Sequence, residues 1–222
     1  MIEQVGRLED ELGSLAEETT ELGLFAEDTF KNATAALYEQ PTDAAHIVLD
    51  TERVSARVYL SLNQKALAIV GWYRPLGDDL RRVVELQQIA AELARIAEDS
   101  RHIAEHALAL DGTSERELSR AHPSAADLLL RMVRQTFVEV RGCIILTTTR
   151  DKTLARRLLR EDGALDVLFA AFRRVLDEAV RANPRGAAPL QRLLLVAVYL
   201  EDIGNRVGAI CRTILYEPPR AW

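Results

Sequence analysis

Glu98, His102 and His106 follow one another at four-residue steps, and Glu201 and Asn205 take a single such step in the second half of the chain. Residues four apart stand on the same face of a helix with their side-chain roots about 5–6 Å from each other, so each set could converge on one cation. Carboxylate oxygen, amide oxygen and neutral imidazole are suitable donors for a divalent ion. A hydrated outer helix face would carry the same residue types, because charged and polar side chains ordinarily stay in water. The most basic stretch, Arg150, Lys152, Arg156, Arg157 and Arg160, reads either as a docking patch for a partner or as a solvated face. The sequence shows no nucleophile elbow, no phosphate-cradling glycine loop and no Cys-x-x-Cys.

The elements that carry these residues repeat. LARIAEDSRHIA from Leu93 and LEDIGNRVGAIC from Leu200 are nearly the same segment, about 107 residues apart, which marks a duplicated supersecondary unit. Leu93, Ile96, Ser100, Ile103 and Ala107 in one copy, and Leu200, Ile203, Val207, Ile210 and Ile214 in the other, have the spacing of a seam facing a core. Glu98 and His102, Glu201 and Asn205 are then expected on the solvent side.

Hydrophobic periodicity predicts six helices of roughly 25–38 residues. The first runs from about residue 2 to 39, with Leu8, Leu12, Leu15, Leu22, Phe25, Thr29, Ala33, Ala36 and Leu37 on one face, and stops at Gln40-Pro41. The second starts near Thr42 or Asp43 as cap and puts Ile47, Val54, Val58, Leu62, Leu67 and Ile69 inside; Trp72 to Gly77 breaks it. The third covers about 78–110. Ser114 with Glu117 and Ser124 with Asp127 read as capping boxes leading into a fourth helix that ends near Thr149. Asp151 caps the fifth, Asn183 to Gly186 closes it, and the sixth reaches Tyr216. Residues 143–149 are β-prone locally, but their place in the repeat argues for helix. The expected fold is all-α: two tandem, pseudo-symmetric three-helix bundles, residues 1–111 and 112–222.

With 48% hydrophobic residues and only 5% aromatics, the chain can bury a continuous core of Leu, Ala, Ile and Val. Its net charge of -6 is unevenly spread. Residues 1–110 hold about 10 Lys and Arg against about 20 Asp and Glu, and the remainder about 18 against about 14. Opposite charge on the halves makes a homodimer reasonable. A nucleic-acid partner is not expected, since the basic stripe with interleaved aromatics is missing. Cys143 and Cys211 lie in apolar helical segments and are expected to be buried thiols. Acidic residues at the start, and no apolar run of membrane-spanning length, lead to a cytoplasmic expectation, with membrane association only through partners.

Several segments in joint order resemble the PhoU family of bacterial and archaeal phosphate-uptake regulators over nearly the whole chain. They are LDTERV from Leu49, RPLGDDLR from Arg74, LARIAEDSRHIA from Leu93, Asn183-Pro184-Arg185, LLLVAVYLEDIGNRVGAIC from Leu193 and Ile214-Leu215-Tyr216. The resemblance implies a tandem pair of three-helix bundles with Glu/Asp-x-x-x-Asp metal motifs on the third and sixth helices. The first motif falls on Ala94 and Glu98, followed by His102; the second falls on Glu201 and Asn205, followed by Ala209. Each copy has lost a carboxylate, so a divalent or iron-type ion would have a reduced donor set, with Glu98, His102 and His106 as the remaining mononuclear candidates. Asp79 and Arg81, in the matching turn motif, are expected to cap and lock the third helix.

The function implied by the resemblance is regulatory and not enzymatic: restraint of phosphate-starvation signalling through contact with a sensor histidine kinase and the ATP-binding subunit of the phosphate transporter. Two rivals remain. One is a metal-dependent enzyme in which Glu98, His102 and Glu201 hold an activating cation. The other is a metal-free helical scaffold or oligomerisation module.

Overall fold

The computed structural model describes residues 2–38, 46–49, 52–110, 122–184 and 187–216. Six long helices carry the fold: α1 (Ile2–Tyr38), α2 (Glu52–Tyr73), α3 (Gly77–Leu108), α4 (Pro123–Thr149), α5 (Lys152–Ala182) and α6 (Ala187–Leu215). Among the described residues there is no strand. The β-prone stretch at the end of α4 is helical because its hydroxyls are satisfied inside the helix. Thr147 donates to the Ile144 carbonyl at 2.7 Å and Thr149 to that of Ile145 at 2.8 Å. Thr19, Thr29 and Thr34 do the same for α1; the hydroxyl of Thr136 in α4 is buried with no such partner.

α1, α2 and α3 pack on one another, as do α4, α5 and α6; the triplets meet through α1 against α4 and α3 against α6. Buried positions recur about 110 residues apart. Leu22, Phe30, Ala33 and Ala36 of α1 match Met132, Val140, Cys143 and Leu146 of α4. Leu62 and Ala66 of α2 match Phe172 and Leu176 of α5. Every seam residue expected on α3 and α6 is buried. The expected division between residues 111 and 112 lies outside the described residues.

Helix ends follow local chemistry. Asp151 caps α5 as expected, its Oδ1 accepting from the backbone N–H of Thr153 at 2.7 Å and of Leu154 at 3.3 Å. The Ser124–Asp127 box does not form: Pro123 takes the first helical position, His122 becomes the N-cap, and Ser124 falls inside the first turn. Leu76 is the N-cap of α3 and no side chain caps it, so Asp79 lies inside the first turn and does not cap the helix; Arg81 pairs with Asp78 at 3.0 Å. Ile47, in the helical stretch 46–49 ahead of α2, is exposed beside buried Val48, and Leu67 is exposed because the buried stripe of α2 passes through Leu62, Ala66 and Ile69 instead. The caps expected at Thr42 or Asp43 and at Ser114 with Glu117 lie outside the described residues.

Candidate functional site

The chemistry-bearing residues gather along the α3–α6 seam. Asp99, almost wholly buried, accepts from Arg206 Nε at 2.6 Å, and Arg206 also lies 3.5 Å from Glu92. Burial pushes the Asp99 carboxyl up, and the hydrogen bond and charge of Arg206 oppose that rise. Burial acts against the Arg206 guanidinium, but Asp99 and Glu92 outweigh it and hold the group above its ordinary value. Next to this pair, Tyr199 of α6 stacks on both histidines of α3, at 4.9 Å from His102 and 5.8 Å from His106 between ring centroids. His102 Nδ1 lies 3.0 Å from Glu105 Oε2, and Arg101 pairs with Glu105. Burial, with Arg192 nearby, keeps the His106 imidazole below its ordinary value.

Glu98 stands elsewhere, in a cavity of about 340 Å³ among α1, α2 and α3 that Arg95, Arg101, Ser55 and Tyr59 also line. The cavity has a packing origin: the first triplet has Ser55 where the repeat places Leu165 in the second. On α6, Asn205 Nδ2 donates to Glu201 Oε1 at 3.0 Å.

The five metal candidates are therefore not one constellation. His102 and His106 are half-buried against Tyr199, not turned to solvent; Glu98 shares its cavity with two arginines; and Glu201 is bonded to Asn205. Among the described residues no three His, Cys, Asp or Glu side chains converge as a metal would require. With Ala94 in place of one carboxylate and guanidinium groups beside Glu98, the residues present do not fit a metal cluster.

The basic cluster is also divided. Arg150 adopts the left-handed conformation at the end of α4 (φ 52) and pairs with buried Glu85 of α3, so it is a tether between triplets. Arg156, Arg157 and Arg160 are exposed on α5, as is Lys152. Cys143 and Cys211 are buried, as expected; burial and the neighbouring Cys211 push the Cys143 thiol far up, which makes it a poor nucleophile.

Sequence reasoning missed Asp99, Arg206, Tyr199 and Glu85. One signal was available: Asp99 and Arg206 stand at the same place in the two copies of the repeated segment and carry opposite charge. The partnership of Glu85 had no local signal.

Fold and seam define an all-helical protein made from two copies of a helix triplet, with its buried ionisable groups joining the copies. Residues 19–107 match the family model described as the PhoU domain. The chain is 24% identical over 209 residues to the phosphate-specific transport system accessory protein PhoU homolog of Rhizobium meliloti, covering 94% of this chain and 85% of the relative. It is 24% identical over 211 residues to the phosphate-specific transport system accessory protein PhoU of Escherichia coli, covering 95% and 85%. The crystal structure of PhoU from Pseudomonas aeruginosa shares the fold with a TM-score of 0.86, at 18% identity, over 94% of this chain and 97% of that one. The chain is thus similar to PhoU proteins over nearly its whole length, and its first half carries the match to the PhoU domain model.

Proposed function

We propose that the protein regulates phosphate uptake and phosphate-starvation signalling in the cytoplasm by docking on the ATP-binding subunit of a phosphate transporter, a sensor histidine kinase, or both. The observation that carries this reading is the near full-length similarity to accessory proteins of the phosphate-specific transport system. Such a role needs a rigid surface of complementary charge and no turnover. The structure supplies residues suited to that use: Arg156, Arg157 and Arg160 are exposed near the start of α5, with Asp151 holding the helix end in place. No described helix is long and apolar enough to cross a membrane, so membrane association in this reading passes through the partners.

The test is direct binding of the purified chain to the purified ATP-binding subunit and to the cytoplasmic part of the kinase. Wild type is expected to bind at least one. Replacing Arg156, Arg157 and Arg160 together by Glu is expected to weaken binding about tenfold or more, an effect that grows at low salt. Absence of binding to both proteins would remove the reading.

A further inference from the structure

α2 is poor in charge on the side that faces water. Its inner stripe, Leu62, Ala66 and Ile69, is buried, while Leu60, Gln64, Leu67, Ala68 and Gly71 on the opposite side are exposed. The helix ends where the backbone N–H of Arg74 donates to the Val70 carbonyl at 3.1 Å, and the turn into α3 presents two more apolar side chains. Leu60 keeps 55% of its surface, Leu67 61%, Trp72 82% and Leu76 81%. The second triplet shows that the fold does not demand this. α5 carries exposed Arg174, Asp177, Glu178 and Arg181 where the repeat places Gln64, Leu67, Ala68 and Gly71. The four charges that hydrate the outside of α5 have no counterpart on α2, and a run of apolar surface of this kind marks a contact face.

The charge that the face does carry is of one sign. No Asp or Glu occurs from residue 54 to 77, although the net charge of the chain is -6, and Arg57 and Arg74 are exposed along the same stretch. Lys65 pairs with Glu18 of α1. Asp78 and Asp79 follow at the start of α3, where Arg81 pairs with Asp78 and Arg82 is exposed beside them.

We propose that the outer face of α2 and the turn after it bind the surface of an anionic lipid bilayer. α2 lies along the interface, with Leu60, Leu67, Trp72 and Leu76 at the boundary of headgroups and acyl chains and with Arg57 and Arg74 on headgroup phosphates. A lipid surface fits this face better than a protein partner does. The apolar residues from Leu60 to Trp72 are strung over about 18 Å of one convex helix, not gathered around a pocket that would seat a partner's side chain. A tryptophan beside an arginine at the helix end suits the headgroup layer, and basic charge without acid complements anionic lipid. The contact is direct, goes beyond membrane association through partner proteins, and does not depend on the phosphate reading.

Flotation of the full chain with lipid vesicles tests it. Vesicles of phosphatidylcholine and phosphatidylglycerol are expected to bind the chain about tenfold or more tightly than phosphatidylcholine alone, and added salt is expected to weaken that binding. In a Trp222→Phe background Trp72 is the one tryptophan, and its emission is expected to shift to the blue on the anionic vesicles. Leu67→Asp with Ala68→Glu, which installs the residues that α5 carries at those places, is expected to weaken binding about tenfold or more with helicity by circular dichroism unchanged. Leu60→Ser with Trp72→Ser, which leaves charge untouched, is expected to do the same. No flotation, equal binding to both kinds of vesicle, an unshifted Trp72 or variants that bind as wild type does would each overturn the proposal. So would a Leu67→Asp, Ala68→Glu variant that floats normally but no longer binds the ATP-binding subunit or the kinase, because the face would then belong to a protein.

Discussion

Asp99 and Arg206 hold the same position in the two copies of one helical segment, and they touch. Their separation in sequence, 107 residues, is the repeat distance itself. Contact between equivalent residues is what an approximate two-fold relation between the triplets would produce, in keeping with α1 meeting α4 and α3 meeting α6. In a symmetric pair of identical segments, an aspartate there would face another aspartate. Duplication within one chain allows one copy to carry Asp and the other Arg, turning a repulsion into an ion pair at the seam.

Removal of Arg206 alone should therefore be costly. Arg206→Met leaves the Asp99 carboxylate buried without its partner, and a loss of about 2–3 kcal/mol in urea unfolding is expected. That lies below the cost for a fully buried pair because Arg206 keeps 27% of its side chain in water. The double variant Asp99→Leu with Arg206→Met should return to within about 1 kcal/mol of wild type, since no unpaired charge remains. Equal losses in the single and double variants would contradict a paired seam.

His106 gives the seam a pH dependence of defined sign. Its folded-state value lies below the ordinary one, chiefly because of burial, with Arg192 and His102 adding to the effect and Glu105 opposing it. The unfolded chain therefore takes up this proton first as pH falls through about 6.5. Stability is expected to be flat in this respect above that value and to decline below it. Urea midpoints at about pH 7.5 and about pH 5.5 should separate more for wild type than for His106→Asn; the same separation in both would exclude the histidine as the source.

Arg150 combines a left-handed backbone with an ion pair, and two substitutions separate the roles. Arg150→Ala keeps the unfavourable backbone and strands buried Glu85; Arg150→Gly strands the same carboxylate but accepts the backbone readily. Both variants should be less stable than wild type, with the glycine variant about 1 kcal/mol the more stable of the two. Thermal unfolding that ranks alanine above glycine would show that the backbone conformation carries no cost.

The helices and the two inner seams were legible in the sequence because periodic leucine and isoleucine at Leu93, Ile96, Leu200 and Ile203 can be buried in only one way. What failed was decided between helices. Leu67 looks like a core residue in a linear pattern, yet it lies off the stripe that meets α1 and α3. Pro123 moved the start of α4 away from the Ser124 box. The four-residue spacing of Glu98, His102 and His106 shows a shared face but not the ring of Tyr199, supplied from the other triplet, that takes up the two imidazoles. Arg150 likewise reads as surface charge until α3 brings Glu85 to it.

Transcription of a phosphate-responsive reporter in a strain lacking the gene tests most directly the proposed action of this chain on phosphate uptake and signalling through contact. At ample phosphate the reporter should be derepressed, wild type should silence it again, and a variant with Arg156, Arg157 and Arg160 replaced by Glu should restore silencing only partly. A reporter that responds to phosphate in the same way with and without the gene would contradict the account.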